Sequence, residues 1–119
     1  MKTISLFFVI ALLYAIGIDS SAQTGSKPAG QQKTETFKVW GNCDMCKARI
    51  EKAVKAEGAT SADWNKNTKI LTVTFDPSKT SVDLFSKKLA AVGHDTEKYK
   101  ADDKAYQALD ACCQYDRRK

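Results

Sequence analysis

The chain has 119 residues, 19 Lys and Arg against 14 Asp and Glu, a formal net charge of +5 and one histidine. That length admits one ordinary domain, since single domains commonly run to roughly 100 residues, and excludes a second independent core. The lysines are spread among acids rather than gathered into a patch, which excludes nucleic acid as an expected partner and leaves a weak attraction to acidic surfaces.

Lys2 precedes an apolar run from Ile4 to Ile18, interrupted only by Ser5, Tyr14 and Gly17, and Ser20-Ser21-Ala22 supplies small residues before Gln23. This is the pattern of an export signal over 1–22, giving a mature protein that begins near Gln23 and resides in the periplasm. The run is shorter than the ~20 residues a spanning helix needs, and no cysteine precedes Cys43 to carry a lipid. Removing 1–22 takes away one base, Lys2, and one acid, Asp19, so the charge stays at +5. Residues 23–34 carry Gly, Ser and Pro with little that is apolar, and read as a flexible linker.

From Glu35 the chain turns apolar and β-branched: Phe37 and Val39 alternate with Lys38, the period of a half-buried strand over roughly 35–40. Asp44 through Glu57 predicts a helix, with Ile50, Ala53, Val54 and Glu57 at i, i+3, i+4, i+7, charged residues on the other face and Gly58 as the stop. Ala59 to Trp64 and Lys69 to Phe75 read as two strands joined by a turn at Asn65-Lys66-Asn67, with Ala62 and Trp64 on one face of the first and Leu71, Val73 and Phe75 on one face of the second. After Asp76-Pro77, a second helix is expected with Ser81 as N-cap, a buried stripe of Val82, Phe85, Leu89 and Val92, and Gly93 at its end. His94 to Tyr99 is then a short edge strand.

The expected architecture is α+β, a ferredoxin-like βαββαβ two-layer sandwich over 35–99, with an antiparallel sheet and both helices on one face. Residues 100–119 form a tail outside that fold. Asp102 is placed to cap a short helix with Ala105, Ala108, Leu109 and Cys112 along one side, ending at Cys112-Cys113. The aromatic residues Phe37, Trp40, Trp64, Phe75 and Phe85 read as core or near-core filling.

Four cysteines in an exported chain ordinarily suggest structural disulfides. Here each pair, Cys43/Cys46 and Cys112/Cys113, closes too small a loop to stabilise a fold much. Cys43 and Cys46 flank the first turn of the first helix, where unpaired N–H groups favour thiolate over thiol. Two converging thiolates select soft ions: Cu(I) first, with Hg(II) and Zn(II) as alternatives. Two ligands fall short of the four a structural zinc site takes, and leave the coordination sphere open for handover to another protein's thiols. Three other readings stand beside this one: a local disulfide, a small CxxC thiol-disulfide oxidoreductase or redox-sensing module, and a binding domain whose CxxC is vestigial. Against the redox enzyme, the only prolines, Pro28 and Pro77, are not placed to pack beside an active disulfide. No glycine-rich phosphate loop, Ser/His/Asp series or paired catalytic carboxylates stand out, so no catalytic residues or organic cofactor are assigned and an enzyme is not expected.

Taken together, Val39-Trp-Gly-Asn-Cys-Asp-Met-Cys46, the Ile50/Val54 helix face, Thr72-Val-Thr-Phe-Asp-Pro77 and Val92-Gly93-His94 resemble the heavy-metal-associated domain family, which includes copper chaperones, modules of metal-transporting P-type ATPases and periplasmic mercury-binding proteins. The resemblance covers about residues 35–99 and implies soft-metal binding at Cys43 and Cys46, with a metal-transporting membrane protein or another metal-handling protein as partner. A metal-bridged homodimer is a further arrangement an unsaturated two-thiolate site allows. The family's usual Gly-Met-Thr-Cys lead-in is replaced here by Trp40-Gly41-Asn42-Cys43, so the methionine that buttresses the loop is absent. The family also places the residue after Gly93 near the metal, which makes His94 a candidate third ligand, the alternative being an exposed edge-strand histidine. Met45 is a weaker thioether candidate. Cys112 and Cys113 are candidates for extra ligands folding back on the loop, for pairing with it or for binding a separate ion, the alternative being a buried Cys112 with a spare Cys113.

Overall fold

The computed structural model describes residues 31–119. The expected export signal, 1–22, and residues 23–30 of the expected linker lie outside them.

Alternation builds the sheet. In β1 (Lys33–Lys38) and just beyond it, Phe37 and Val39 are buried while Thr36 is exposed. Leu71, Val73 and Phe75 are the buried positions of β3 (Ile70–Phe75), and Trp64 is that of β2 (Ser61–Trp64). Successive strand side chains point to opposite faces, so this period of two gathers one apolar surface. The three strands are antiparallel in the order β1-β3-β2, with Phe37 and Trp64 both opposite Leu71, so one row of large side chains crosses the sheet. Asn65 shapes the β2–β3 turn by accepting the N–H groups of Asn67 and Thr68 on its Oδ1 at 2.8 and 3.0 Å.

Lys33 and Thr34, assigned to the linker from composition, belong instead to β1, opposite Phe75 and Thr74. Their side chains are exposed; they are ordered by the backbone ladder of β3, a partner that local composition does not display.

Two helices cover the apolar face. α1 (Asp44–Ala56) buries Cys46, Ile50, Ala53 and Val54, and α2 (Val82–Ala91) buries Phe85 and Leu89. Ser81 caps α2 as expected, its Oγ accepting the Leu84 N–H at 3.2 Å. Phe85 meets Phe75 edge to face at 5.2 Å, joining α2 to the sheet. Complete burial of side chains of this size stabilises by about 1.5–3 kcal/mol each, which is enough to hold the frame on which the loop before α1 sits.

The expected fourth strand over His94 to Tyr99 is a single bridge, Val39 to Thr96. Its backbone groups are engaged elsewhere. The Thr96 N–H donates to the Tyr99 carbonyl at 2.8 Å in a tight turn, and the Thr96 and Glu97 carbonyls accept from Arg118 at 2.8 and 2.7 Å. The described sheet therefore has three strands, and the tail takes the place of an extended ladder on this edge.

The tail is built differently from the continuous helix expected. α3 (Asp103–Gln107) is one short helix with Asp102 at its N-cap, and the chain restarts as a 3₁₀ turn over Ala111–Cys113. The break changes the phase, so Cys113 is buried and Cys112 exposed, the reverse of the alternative in which Cys112 is buried and Cys113 spare. Gly93 permits the docking of this segment: its φ is +104°, and a Cβ there would stand 2.9 Å from the Ala105 carbonyl and 3.0 Å from Leu109 Cδ2.

Candidate metal centre

The loop Trp40 to Cys43 rests on Trp64. This ring is 1% exposed, and its Nε1 donates to the Val39 carbonyl at 2.9 Å. A Cβ on Gly41 would lie 2.9 Å from the ring and 3.2 Å from Cys46 Cβ, so glycine is what lets the backbone lie against the indole. The Trp64 N–H donates in turn to Glu51 Oε2 at 2.9 Å, and Lys47 Nζ spans Glu51, Asp63 and the Trp64 carbonyl at 2.6, 2.8 and 3.0 Å. The support absent from the lead-in sequence is thus supplied by an indole from β2.

Cys43 is the N-cap of α1, extended at φ −139° and ψ 178°, and Cys46 lies in the first turn. Their sulfurs are 3.5 Å apart. Cys43 Sγ also stands 3.5 Å from Cys112 Sγ and 3.3 Å from Cys113 Sγ, while the two tail sulfurs are 4.0 Å apart. The Cys112 thiol donates to Met45 Sδ at 3.4 Å. Cys43 is therefore the hub, and Cys43, Cys112 and Cys113 form a three-ligand group whose sulfurs all lie within 4.8 Å of one another. The four cysteines are free.

Their protonation is uneven. Burial pushes the Cys43 thiol up, but the Cys46 amide and the neighbouring thiols of Cys113, Cys46 and Cys112 outweigh it and bring the group down to about 7. Burial, with the adjacent Cys113, raises Cys46 to about 12. Its hydrogen bond with Cys43 raises Cys112 to about 11. Of these three, Cys43 is the sulfur most readily ionised, beside two thiols, Cys46 and Cys112, that hold their protons more tightly, an arrangement of one nucleophilic sulfur with thiols that exchange protons for metal. Arg49 lies beside Cys113, whose sulfur raises the guanidinium's pKa, and Arg49 Nη1 is buried without a hydrogen-bond partner.

A polar clamp holds the tail in place. Asp95 is fully buried, and its carboxylate accepts from Arg117 Nε at 2.8 Å and Nη2 at 2.9 Å, and from the Ala101 N–H at 2.7 Å. The Tyr115 hydroxyl donates to the Gly93 carbonyl at 2.6 Å and accepts the Asp95 N–H at 2.8 Å. Asn42 Nδ2 donates to the Cys112 carbonyl at 3.2 Å, tying the 3₁₀ turn directly to the loop.

His94 is fully buried rather than exposed on an edge, and it stacks on Tyr115 at 5.5 Å. Its Nδ1 lies 2.9 Å from the Trp40 carbonyl, which only accepts, so the ring proton sits on Nδ1. Nε2 is buried without a hydrogen-bond partner. Burial lowers the His94 pKa to about 4, keeping it neutral. The structure brings Cys43, Cys46, Cys112 and Cys113 together and leaves His94 outside the three-thiol group. Met45 is half exposed at the edge of the sulfur cluster.

Asn42, Trp64, Asp95, Tyr115 and Arg117 were not singled out from the sequence as site residues. Trp64 reads as core filling in the sequence, and Arg117 lies in the basic run Arg117-Arg118-Lys119 at its end. The one local signal was the aromatic and basic content of a segment, Tyr106 to Arg118, that the sandwich does not require.

Comparison with known proteins bears on this geometry. The heavy-metal-associated domain matches residues 36–99. A copper-exporting P-type ATPase of Staphylococcus saprophyticus is 38% identical over 56 residues, which make up 46% of this chain but only 7% of that protein. Among solved structures, the CopZ metallochaperone aligns with a TM-score of 0.52 and 32% identity, over 54% of this chain and 98% of that one. Oxidized MerP from Ralstonia metallidurans CH34 aligns with a TM-score of 0.52 and 35% identity, over 56% of this chain and 96% of that one.

Proposed function

This chain belongs to the heavy-metal-associated domain family, and on that premise we propose that it is an exported, periplasmic carrier of a soft metal ion, Cu(I) before Hg(II) or Zn(II). The ion enters through Cys43 and Cys46 and leaves by stepwise thiolate exchange to a metal-transporting membrane protein or another metal-handling protein. The observation that carries this reading is the placement of Cys43: an N-cap sulfur brought down to about 7, 3.5 Å from Cys46, on a loop seated against Trp64. A thiolate at neutral pH binds a soft ion without first losing a proton, and a nearby thiol then gives up its proton as the second bond forms. The relatives described as a copper-exporting ATPase, a metallochaperone and MerP support metal handling over thiol-disulfide chemistry. Binding and release of an ion need no catalytic group, and none is assigned.

In this reading His94 is scaffold: its Nδ1–H holds the Trp40 carbonyl, and so the approach to the loop. Residues 1–22 direct export, 36–99 are the metal-binding domain, and the tail lies outside the matched region.

The test is a Cu(I) titration of the reduced protein against a chromogenic Cu(I) chelator. Wild type should withdraw about one equivalent, and the Cys43→Ser/Cys46→Ser double variant should lose tight binding. A double variant that competes as wild type does would remove the two cysteines from the site. Turnover of a test disulfide under metal-free conditions, with a cycling Cys43–Cys46 bond, would favour the oxidoreductase instead.

A further inference from the structure

The sulfur spacings do not suit a simple two-thiolate site. With metal–sulfur bonds of ~2.3 Å, an ion held linearly between two sulfurs sets them about 4.6 Å apart, whereas three sulfurs around a trigonal ion stand about 4.0 Å apart. Cys43 and Cys46 are at 3.5 Å, and one is the N-cap of α1 while the other lies in its first turn. Opening that pair to a linear span requires about 1 Å of movement. The edges of the Cys43, Cys112, Cys113 triangle are 3.5, 3.3 and 4.0 Å. One edge already has the trigonal length, and the other two need to lengthen by about 0.5 to 0.7 Å.

We propose that Cys43, Cys112 and Cys113 form a three-thiolate site for a soft metal ion, overlapping the Cys43/Cys46 pair through their shared sulfur and closed over it by the C-terminal tail. The proposal rests on the reading of Cys43 as a metal-binding sulfur. The tail has the anchorage such a site needs. Asn42 holds the Cys112 carbonyl, Tyr115 is bonded to the Gly93 carbonyl and the Asp95 N–H, and Arg117 is bonded to the Asp95 carboxylate. Cys113 is thereby delivered buried, and Cys112 exposed at the outer side.

Formation of the site is a ligand exchange with no change of oxidation state. Each sulfur still protonated when Cu(I) arrives releases its proton to solvent as the copper–sulfur bond forms. Three thiolates around one Cu(I) carry a net charge of −2, and the Arg49 guanidinium beside Cys113 faces that charge. A partner's thiolate then reaches the ion first at the exposed Cys112, displaces that sulfur, and leaves the ion on fewer of this chain's ligands. The tail thus retains the ion between partners, and Cys43, the sulfur shared with the CxxC pair, still holds it after Cys112 has been displaced.

Copper K-edge X-ray absorption on the reduced protein loaded with one equivalent of Cu(I) reads the coordination number directly. Wild type should show three sulfur neighbours, Cys112→Ser two, and Cys46→Ser three. Affinity in chelator competition should fall on the order of 100-fold in Cys112→Ser, since a tethered extra ligand acts at a high effective concentration. Cys112 is exposed, so this variant should keep the wild-type circular dichroism, and a Cys113→Ser variant giving two sulfurs would support the same assignment. Two sulfurs in wild type, or three in Cys112→Ser, would overturn the proposal. Failure of wild type to bind Cu(I) would overturn the CxxC reading as well. Two-sulfur binding lost in Cys43→Ser/Cys46→Ser but unchanged in Cys112→Ser would overturn the tail site alone.

Discussion

Replacing Arg117 with methionine should separate the tail from the domain. The guanidinium makes two bonds to the buried Asp95 carboxylate, donates to the Ala101 carbonyl at 2.6 Å and to Asp103 Oδ1 at 3.1 Å, and sits 4.6 Å from the centre of the Tyr106 ring. Methionine keeps much of the apolar stem and removes the charge. Asp95 would be left with the Ala101 N–H at 2.7 Å and the Arg118 N–H at 3.2 Å, and no cation. A buried carboxylate stripped of its partner costs about 3–5 kcal/mol, a large share of the roughly 5–15 kcal/mol that holds a domain together. With a urea slope of about 1–3 kcal/mol per molar, the midpoint of the reduced, metal-free protein should fall by at least about 1 M, followed by tryptophan fluorescence. Adding Asp95→Asn to the variant should recover part of the loss, because a neutral amide tolerates burial better than an unpaired charge. Burial pushes the Asp95 carboxyl up, but Arg117 and the two amides outweigh it and hold it below its usual range. A depressed carboxylate contributes stability at neutral pH that is lost as pH falls through its folded value, so this acid-side contribution should shrink in Arg117→Met. A loss under about 1 kcal/mol, the behaviour of an exposed ion pair, would refute the view that this bond fastens the tail.

His94 gives a separate pH signature. Its pKa is about 4 in the fold against an ordinary value near 6.5, so only the unfolded chain binds a proton in that interval; stability should drop by about 2 kcal/mol between pH 7 and pH 5. His94→Asn should flatten this interval in urea titrations, and a flat wild-type curve would contradict the assignment. Gly41→Ala drives a methyl against Trp64 and Cys46; overpacking of this kind costs about 1–3 kcal/mol, so both the unfolding midpoint and Cu(I) affinity should fall, and unchanged affinity would show that the indole seat does not shape the loop. Gly93→Ala combines strain at a positive φ with a clash against the Ala105 carbonyl. It should cost about 1–3 kcal/mol or more and raise proteolysis of the tail, whereas an intact tail with full stability would argue against the packing described.

The two helices, the β2–β3 hairpin and the CxxC loop were legible because each depends on residues close in sequence. Ile50 with Val54, and Leu71 with Val73 and Phe75, announce their faces through periods of 3.6 and 2, and Ser81 and Gly93 mark their helix ends by local backbone chemistry. The expected edge strand was less secure, because whether an extended segment joins a sheet depends on which groups compete for its backbone. Here Tyr99, Arg118 and the Thr96 hydroxyl do so. The start of β1 escaped for the complementary reason: Lys33 and Thr34 have no apolar pattern, but they do have a ladder partner.

Sequence alone determined the chemistry available to this protein: soft sulfur ligands separated by two residues at a helix start, on a small α+β frame that resembles the heavy-metal-associated domain. Only the tertiary structure decided which of those ligands meet. A break between α3 and the 3₁₀ turn reversed the burial of Cys112 and Cys113, and the Asp95–Arg117 bond with the Tyr115 hydroxyl carried both sulfurs back to within 3.5 Å of Cys43. Those contacts join residues far apart in the chain, where no period or local propensity records them. The loop that reads as a two-cysteine motif is, in the folded protein, one side of a four-thiol cluster.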